Sequence, residues 1–183
     1  VIGGTWSYLP VKYKYWYVLN CFRAANDYLS FGELKKSPYR STLHTAELKR
    51  LLLWEQKKNE KARYRIIGLT LETRPDYINT KELEEMRLLG CTRVEMGVQI
   101  TDDNILTLNR RGHGVKEIAE ATALLKKYGF KITYHIMPAL PGSNPKLDFQ
   151  LFSGLFKDER FQPDQIKFYP TVVTAGSLLY KWY

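Results

Sequence analysis

Four stretches of the chain alternate apolar and polar residues with a period of two. Ile67, Leu69 and Leu71 interleave with Thr70, Glu72 and Arg74, and Val94, Met96 and Val98 with Arg93, Glu95 and Gln99. Further on, Ile132, Tyr134 and Ile136 interleave with Thr133, His135 and Met137, and Ile166 and Phe168 with Lys167 and Tyr169. Successive side chains of a strand point to opposite faces, so each stretch predicts a strand with one apolar and one ionisable face. The pattern places strands at 65–72, 92–99, 131–137 and 165–169.

Helical signals fill the intervals. Tyr13, Trp16, Tyr17, Cys21 and Ala24 recur at helical spacing from Pro10 to about Asp27, and Leu48, Leu51 and Leu52 mark a second helix from Thr45. Asn79 with Glu82 predicts a capping box for a helix closed by Gly90, and Thr101-Asp102-Asp103 an acidic helix start. Further helices are predicted at 115–128 and from Pro145 to Phe156. Strands joined through helices are parallel, with their apolar faces under the helices and their polar faces turned to a common side. The fold class is therefore α/β: an incomplete TIM-type barrel of parallel strands with outer helices and a site at the strands' carboxyl ends. Val1-Ile2-Gly3-Gly4 reads as the end of a further strand, giving about five in all. The chain reads as a single partial-barrel domain over 1–183, with a variable basic insertion at 29–62.

The 183 residues suffice for a substantial core but fall short of the roughly 250 of a full eight-stranded barrel. The chain reads as an interior fragment of a longer protein. No apolar run approaches the roughly 18 residues of a membrane span, and a cytoplasmic location is expected. Cys21 and Cys91 stand far apart with no His or Cys spaced around them as ligands, so neither a metal site within this chain nor a disulfide framework is predicted. The net charge of +9 is uneven: Lys and Arg number 13 against 5 acidic residues before Ile66, and 15 against 14 from there on. Lys57, Lys58 and Lys61 lie in the basic stretch, where a polyanion such as RNA finds phosphate neutralisation and where a solvated helix face is the alternative.

Candidate chemistry sits on the polar faces. Gly3-Gly4-Thr5 offers backbone that a ligand can approach closely, or a tight turn into a helix. Glu72 and Glu95 suit paired carboxylates for acid/base work, or an ion-pair network with Arg74 and Arg93. Gln99, at a strand's carboxyl end, is placed to hold a ligand by its amide. His135 is either a base or a hydrogen-bonded core residue. Lys167, with Tyr169 beyond it, must meet a carboxylate or a ligand if it lies inside a barrel. Arg111-Gly112-His113 combines a cation, a hinge and an imidazole, suited to an anionic ligand or to helix capping.

Several strings occur in order: Gly3-Gly4-Thr5, Gly68-Leu69-Thr70-Leu71-Glu72-Thr73-Arg74-Pro75-Asp76-Tyr77, Gly90-Cys91-Thr92-Arg93-Val94-Glu95-Met96-Gly97-Val98-Gln99, Arg111-Gly112-His113, His135-Ile136-Met137-Pro138 and Lys167-Phe168-Tyr169-Pro170-Thr171. Together they resemble the radical S-adenosylmethionine domain of the Elongator catalytic-subunit family, which forms carboxymethyl groups on the wobble uridine of tRNA; the resemblance spans nearly the whole chain except about 29–62. It implies a 4Fe-4S cluster that cleaves S-adenosylmethionine to a radical able to abstract hydrogen from an acetyl group, with acetyl-CoA as co-substrate and tRNA as partner. By similarity, Gly3, Gly4, Thr5, Glu72, Arg74 and Gln99 would bind the cofactor and His135, Lys167 and Tyr169 would be catalytic. Arg111, His113, Lys57, Lys58 and Lys61 would meet tRNA.

The family's cluster cysteines lie before the first segment present here, so Cys21 and Cys91 are not carried over as ligands, and this piece alone is expected to be inactive. The family's acetyltransferase domain is also absent. The chain departs from the family's pattern at Ile100, where serine is usual, at Ala139, where glycine is usual, and at Arg110, where asparagine is common. Two other readings are a non-catalytic RNA-binding relative that kept the barrel, and a different radical enzyme acting on a small molecule.

Overall fold

The structure is a computed structural model describing residues 1, 3–28 and 42–182. Helix α1 spans Val11–Asn26 and α2 Thr45–Asn59; β1 is Thr70–Thr73, α3 Thr80–Leu88, β2 Arg93–Gln99 and α4 Asp103–Leu108. Helix α5 covers Val115–Lys127, β3 Lys131–Ile136, α6 Pro145–Gly154, β4 Gln165–Phe168 and α7 Leu178–Trp182. The strands form one parallel sheet in the order β1-β2-β3-β4, as an alternating α/β sequence requires. In the β3–β4 register Thr133 pairs with Gln165, His135 with Lys167 and Ile136 with Phe168. The chain divides into two compact units, Val1–Thr73 with Asn79–Val94, and Arg74–Ile78 with Glu95–Tyr183.

In the first unit α1 and α2 pack through Val18, Leu19, Phe22, Leu48 and Leu52, all buried. The stretch 45–59 of the expected basic insertion is thus a helix contributing to a core; residues 29–41 of that expectation lie outside the described residues. Helix α3 starts where Asn79 accepts the Glu82 amide at 3.1 Å. Lys14 of α1 is almost fully buried and donates to Glu82 and Glu85 of α3 at 3.0 and 3.2 Å.

In the second unit the predicted alternation is realised in three dimensions. Tyr134 is buried with its hydroxyl bonded to Thr122 of α5, while its neighbour His135 meets Glu95. Helix α4 is capped by Asp102, which accepts the Ile105 amide at 3.0 Å, and α6 by Asn144, which accepts the Leu147 amide at 3.0 Å.

Two expectations are corrected. The described residues hold four strands, not about five: residues 3 and 4 form a bend, and Gly3 at φ +123° has left the extended region a ladder needs. Strand β1 starts at Thr70 rather than at 65, and Ile67, assigned to an apolar face, is 92% exposed. The Ile66 amide is held at 2.8 Å by the Asn59 side chain, which ties that approach to the end of α2 instead of to a ladder.

Candidate active site

Three strands of the second unit bring one acid and two bases together. Lys167 Nζ lies 2.8 and 2.6 Å from the two carboxylate oxygens of Glu95, and His135 Nε2 is 2.7 Å from Glu95 Oε2. The pairing of His135 with Lys167 across β3 and β4 sets both side chains on one sheet face, which is why a single carboxylate serves both. Glu95 is 3% exposed, whereas the Lys167 side chain keeps 26% of its surface open. The Tyr169 ring meets His135 edge-on, 5.4 Å between centroids. Burial pushes the Glu95 pKa up, but hydrogen bonds and charge from Lys167 and His135 outweigh it and hold the group below its ordinary value. Glu95 is therefore an anchored anion at neutral pH, held by Lys167 and His135.

A second polar group gathers around the end of β2. Gln99 adopts φ +70° and is buried, with its side-chain oxygen lacking a partner among the described residues. Arg74 donates to the Asp76 carboxylate through two nitrogens and lies 5.4 Å from the Tyr77 ring. Gly112 sits at φ +74°, and a Cβ there would stand 2.8 Å from Arg74 Nη2, so glycine admits both the turn and the arginine. Among the described residues the buried Arg111 Nε has no partner, and burial followed by the charge of Arg74 lowers the Arg111 pKa. His113 is 8% exposed, its Nε2 3.4 Å from the Val98 carbonyl and its Nδ1 without a partner among the described residues. Burial is the largest cause of its lowered pKa. The His113 ring is thus held against the β2 backbone, with only its edge open.

An apolar pocket opens beside Gln99, lined by Ile100, Met137, Pro138, Phe152 and Phe168 among others. Ala139 and Arg110, two of the departures from the family pattern, both have left-handed backbone, φ +61° and +52°. Glycine and asparagine are the residues that tolerate that region best.

In the first unit the Gly3 amide donates to Glu72 at 3.0 Å, and a Cβ at Gly3 or Gly4 would meet nothing within 4 Å. The Gly3-Gly4 backbone is thus open to a ligand, with Thr5 partly exposed just beyond it. Lys57 and Lys58 are exposed and paired with Glu60 and Asp27, each at 2.8 Å, and Lys61 is exposed. Burial pushes the Cys91 thiol up to about 12 and raises that of Cys21.

The radical SAM superfamily pattern matches residues 40–148, more than half of the chain. The chain belongs to the radical SAM superfamily. This radical SAM chain is 41% identical over its whole length to a tRNA uridine(34) acetyltransferase of Dehalococcoides mccartyi, of which it covers 36%. It is 35% identical to the Elongator complex protein 3 of Homo sapiens, over 99% of this chain and 30% of that protein. The structure of the archaeal Methanocaldococcus infernus Elp3 with an N-terminal deletion superposes with a TM-score of 0.84 at 38% identity, covering 98% of this chain and 38% of that one. Coproporphyrinogen III oxidase of Escherichia coli shares the fold at 18% identity, with a TM-score of 0.53 over 68% of this chain and 29% of its own. The chain thus spans about a third of the curated relatives, and the match runs through the 29–62 segment that the resemblance had left out.

Radical SAM proteins use S-adenosylmethionine and a 4Fe-4S cluster. The residues present fit the first: in the second unit the buried Gln99 Oε1, Arg111 Nε and His113 Nδ1, without partners among the described residues, call for a small polar ligand. They do not fit the second, since no group of three His, Cys, Asp or Glu able to hold a metal occurs among the described residues. The sequence singles out Lys167, His135 and Glu95, but it pairs Glu95 with Glu72, or with Arg74 and Arg93, and not with Lys167 and His135. The signal was there: a lysine on a barrel's inner face requires an anion, and Glu95 lies on a polar face of the same kind.

Proposed function

We propose that the chain is the central part of the radical SAM domain of a tRNA uridine(34) acetyltransferase, an enzyme that adds an acetyl-derived group to the wobble uridine of cytoplasmic tRNA with acetyl-CoA as donor. The Glu95-centred cluster on three strands carries the reading, supported by the whole-chain likeness to proteins of that name. For S-adenosylmethionine, Arg74 and Gln99 are the candidate contacts of the second unit and Gly3, Gly4, Thr5 and Glu72 those of the first, while Arg111 and His113 are candidates for tRNA. When bound, that cofactor would be the source of hydrogen-atom abstraction.

The remaining work is binding and charge placement. Glu95 keeps Lys167 oriented, and the partly open ammonium hydrogen-bonds a carbonyl oxygen of acetyl group or uracil as negative charge develops there. His135 and the Tyr169 ring wall the cluster and limit water, which protects a reactive intermediate. Lys57, Lys58 and Lys61 neutralise RNA phosphates.

Nucleoside mass analysis of tRNA tests the reading, using the full-length protein with S-adenosylmethionine, acetyl-CoA and a reductant. An acetyl-derived mass increment confined to uridine 34 is expected. Cofactor cleavage without any change in tRNA contradicts it and favours a small-molecule substrate.

A further inference from the structure

The first unit exposes aromatic rings that neither its core nor the proposed chemistry uses, set among cations of which only Lys58 has been given a part. Trp54 of α2 is 57% exposed, and Lys58, one helical turn on, places its ammonium 5.6 Å from the Trp54 ring centre. The same ammonium is 2.8 Å from Asp27. Next in the chain is Tyr28, 58% exposed, whose ring meets Tyr64 edge-on at 4.7 Å between centroids. Tyr64 is 42% exposed, with the Arg63 guanidinium 5.7 Å from its ring centre. Asp27, which pairs with Lys58, and Tyr28, which meets Tyr64, are adjacent in the chain and so join the Trp54–Lys58 pair to Tyr64 and Arg63.

Exposure of three large rings is costly in water, and the surrounding charge says what covers them. Residues 45–65 carry seven Lys or Arg against three Glu, and of those glutamates Glu55 is buried and accepts from Asn26 at 2.6 Å. Rings interleaved with cations bind a strand whose phosphates are neutralised while its bases stack; an acidic protein surface would satisfy the lysines but not the rings. We propose that this face is a stacking platform for unpaired nucleobases of RNA, with Trp54 as the principal ring. The inference rests on the tRNA reading for its class of ligand and adds a subsite that recognises single-stranded bases, not only phosphate.

The test uses the full-length protein and two probes, a fluorescent ten-nucleotide oligouridylate and an RNA duplex of the same length. Trp54→Ala is expected to weaken oligouridylate binding about tenfold while leaving its salt dependence unchanged; Trp54→Phe keeps most of the affinity, and duplex binding changes little. Lys58→Gln instead lowers the salt slope by about 0.7. Unchanged oligouridylate affinity in Trp54→Ala, or equal loss for both probes, overturns the platform and leaves the face to an acidic protein surface. Wild-type protein that modifies uridine 34 while Trp54→Ala binds oligouridylate normally sinks this inference alone. Protein that binds oligouridylate through Trp54 without modifying tRNA sinks the functional reading alone.

Discussion

Lys14 in the first unit and Lys167 in the second both meet carboxylates within 3.2 Å, yet their settings differ in every other respect. Lys14 is 2% exposed and shared by two glutamates one turn apart on α3. The arrangement is closed, two acids to one base, and it clamps helices. Around Glu95 the count is inverted, one acid to two bases, with Lys167 a quarter open and an aromatic ring against His135. A clamp needs only that its charges cancel, whereas a site needs a group still able to meet a ligand. Exposure of the cation, not the presence of an ion pair, separates the two.

The largest expected effect breaks the closed side of the comparison. Lys14→Ala leaves Glu82 and Glu85 facing each other without a cation and is expected to destabilise the protein by about 3–5 kcal/mol, read from urea unfolding. Glu95→Gln strikes the open side and should cost about 2 kcal/mol, since Lys167 retains access to water. It also changes the acid response. The Glu95 pKa is lower folded than unfolded, so its stabilisation is complete above the ordinary carboxylate value of about 4.3 and is lost as pH falls through the depressed one. Unfolding curves of Glu95→Gln between pH 5 and 2 should lack that part of the decline.

Smaller effects come from backbone strain in the second unit. Ala139→Gly relieves a left-handed residue and should stabilise by about 0.5–1 kcal/mol, visible as a rise in Tm. Arg110→Asn acts by the same route and should gain about 0.3 kcal/mol. A fall in Tm for both would mean that their side chains make contacts worth more than the strain.

Strand parity was legible because it is local: Tyr134 and His135 face opposite ways for the reason that adjacent residues of any strand do. The cluster itself was legible only in part. Glu95 reaches His135 across 40 positions and Lys167 across 72, and no local pattern states which acid a distant base will find. For that reason His135 reads from the sequence as either a base or a hydrogen-bonded core residue, with no acid assigned to it. The burial of His113 depends on how the Arg111-Gly112-His113 turn folds against Val98, a tertiary fact that its polar composition hides. Ile67 failed because alternation alone does not show where a strand begins, and the tie from Asn59 to Ile66 decides that.

The most direct measurement compares full-length wild-type protein with Lys167→Ala for the rate of wobble-uridine modification, with urea unfolding alongside. The account predicts a loss of at least about 100-fold in rate in protein that is still folded, alongside a stability loss of about 2–3 kcal/mol from leaving the buried Glu95 carboxylate to His135 alone, because the cation that meets the reacting group is removed. Modification at the wild-type rate by Lys167→Ala would contradict it.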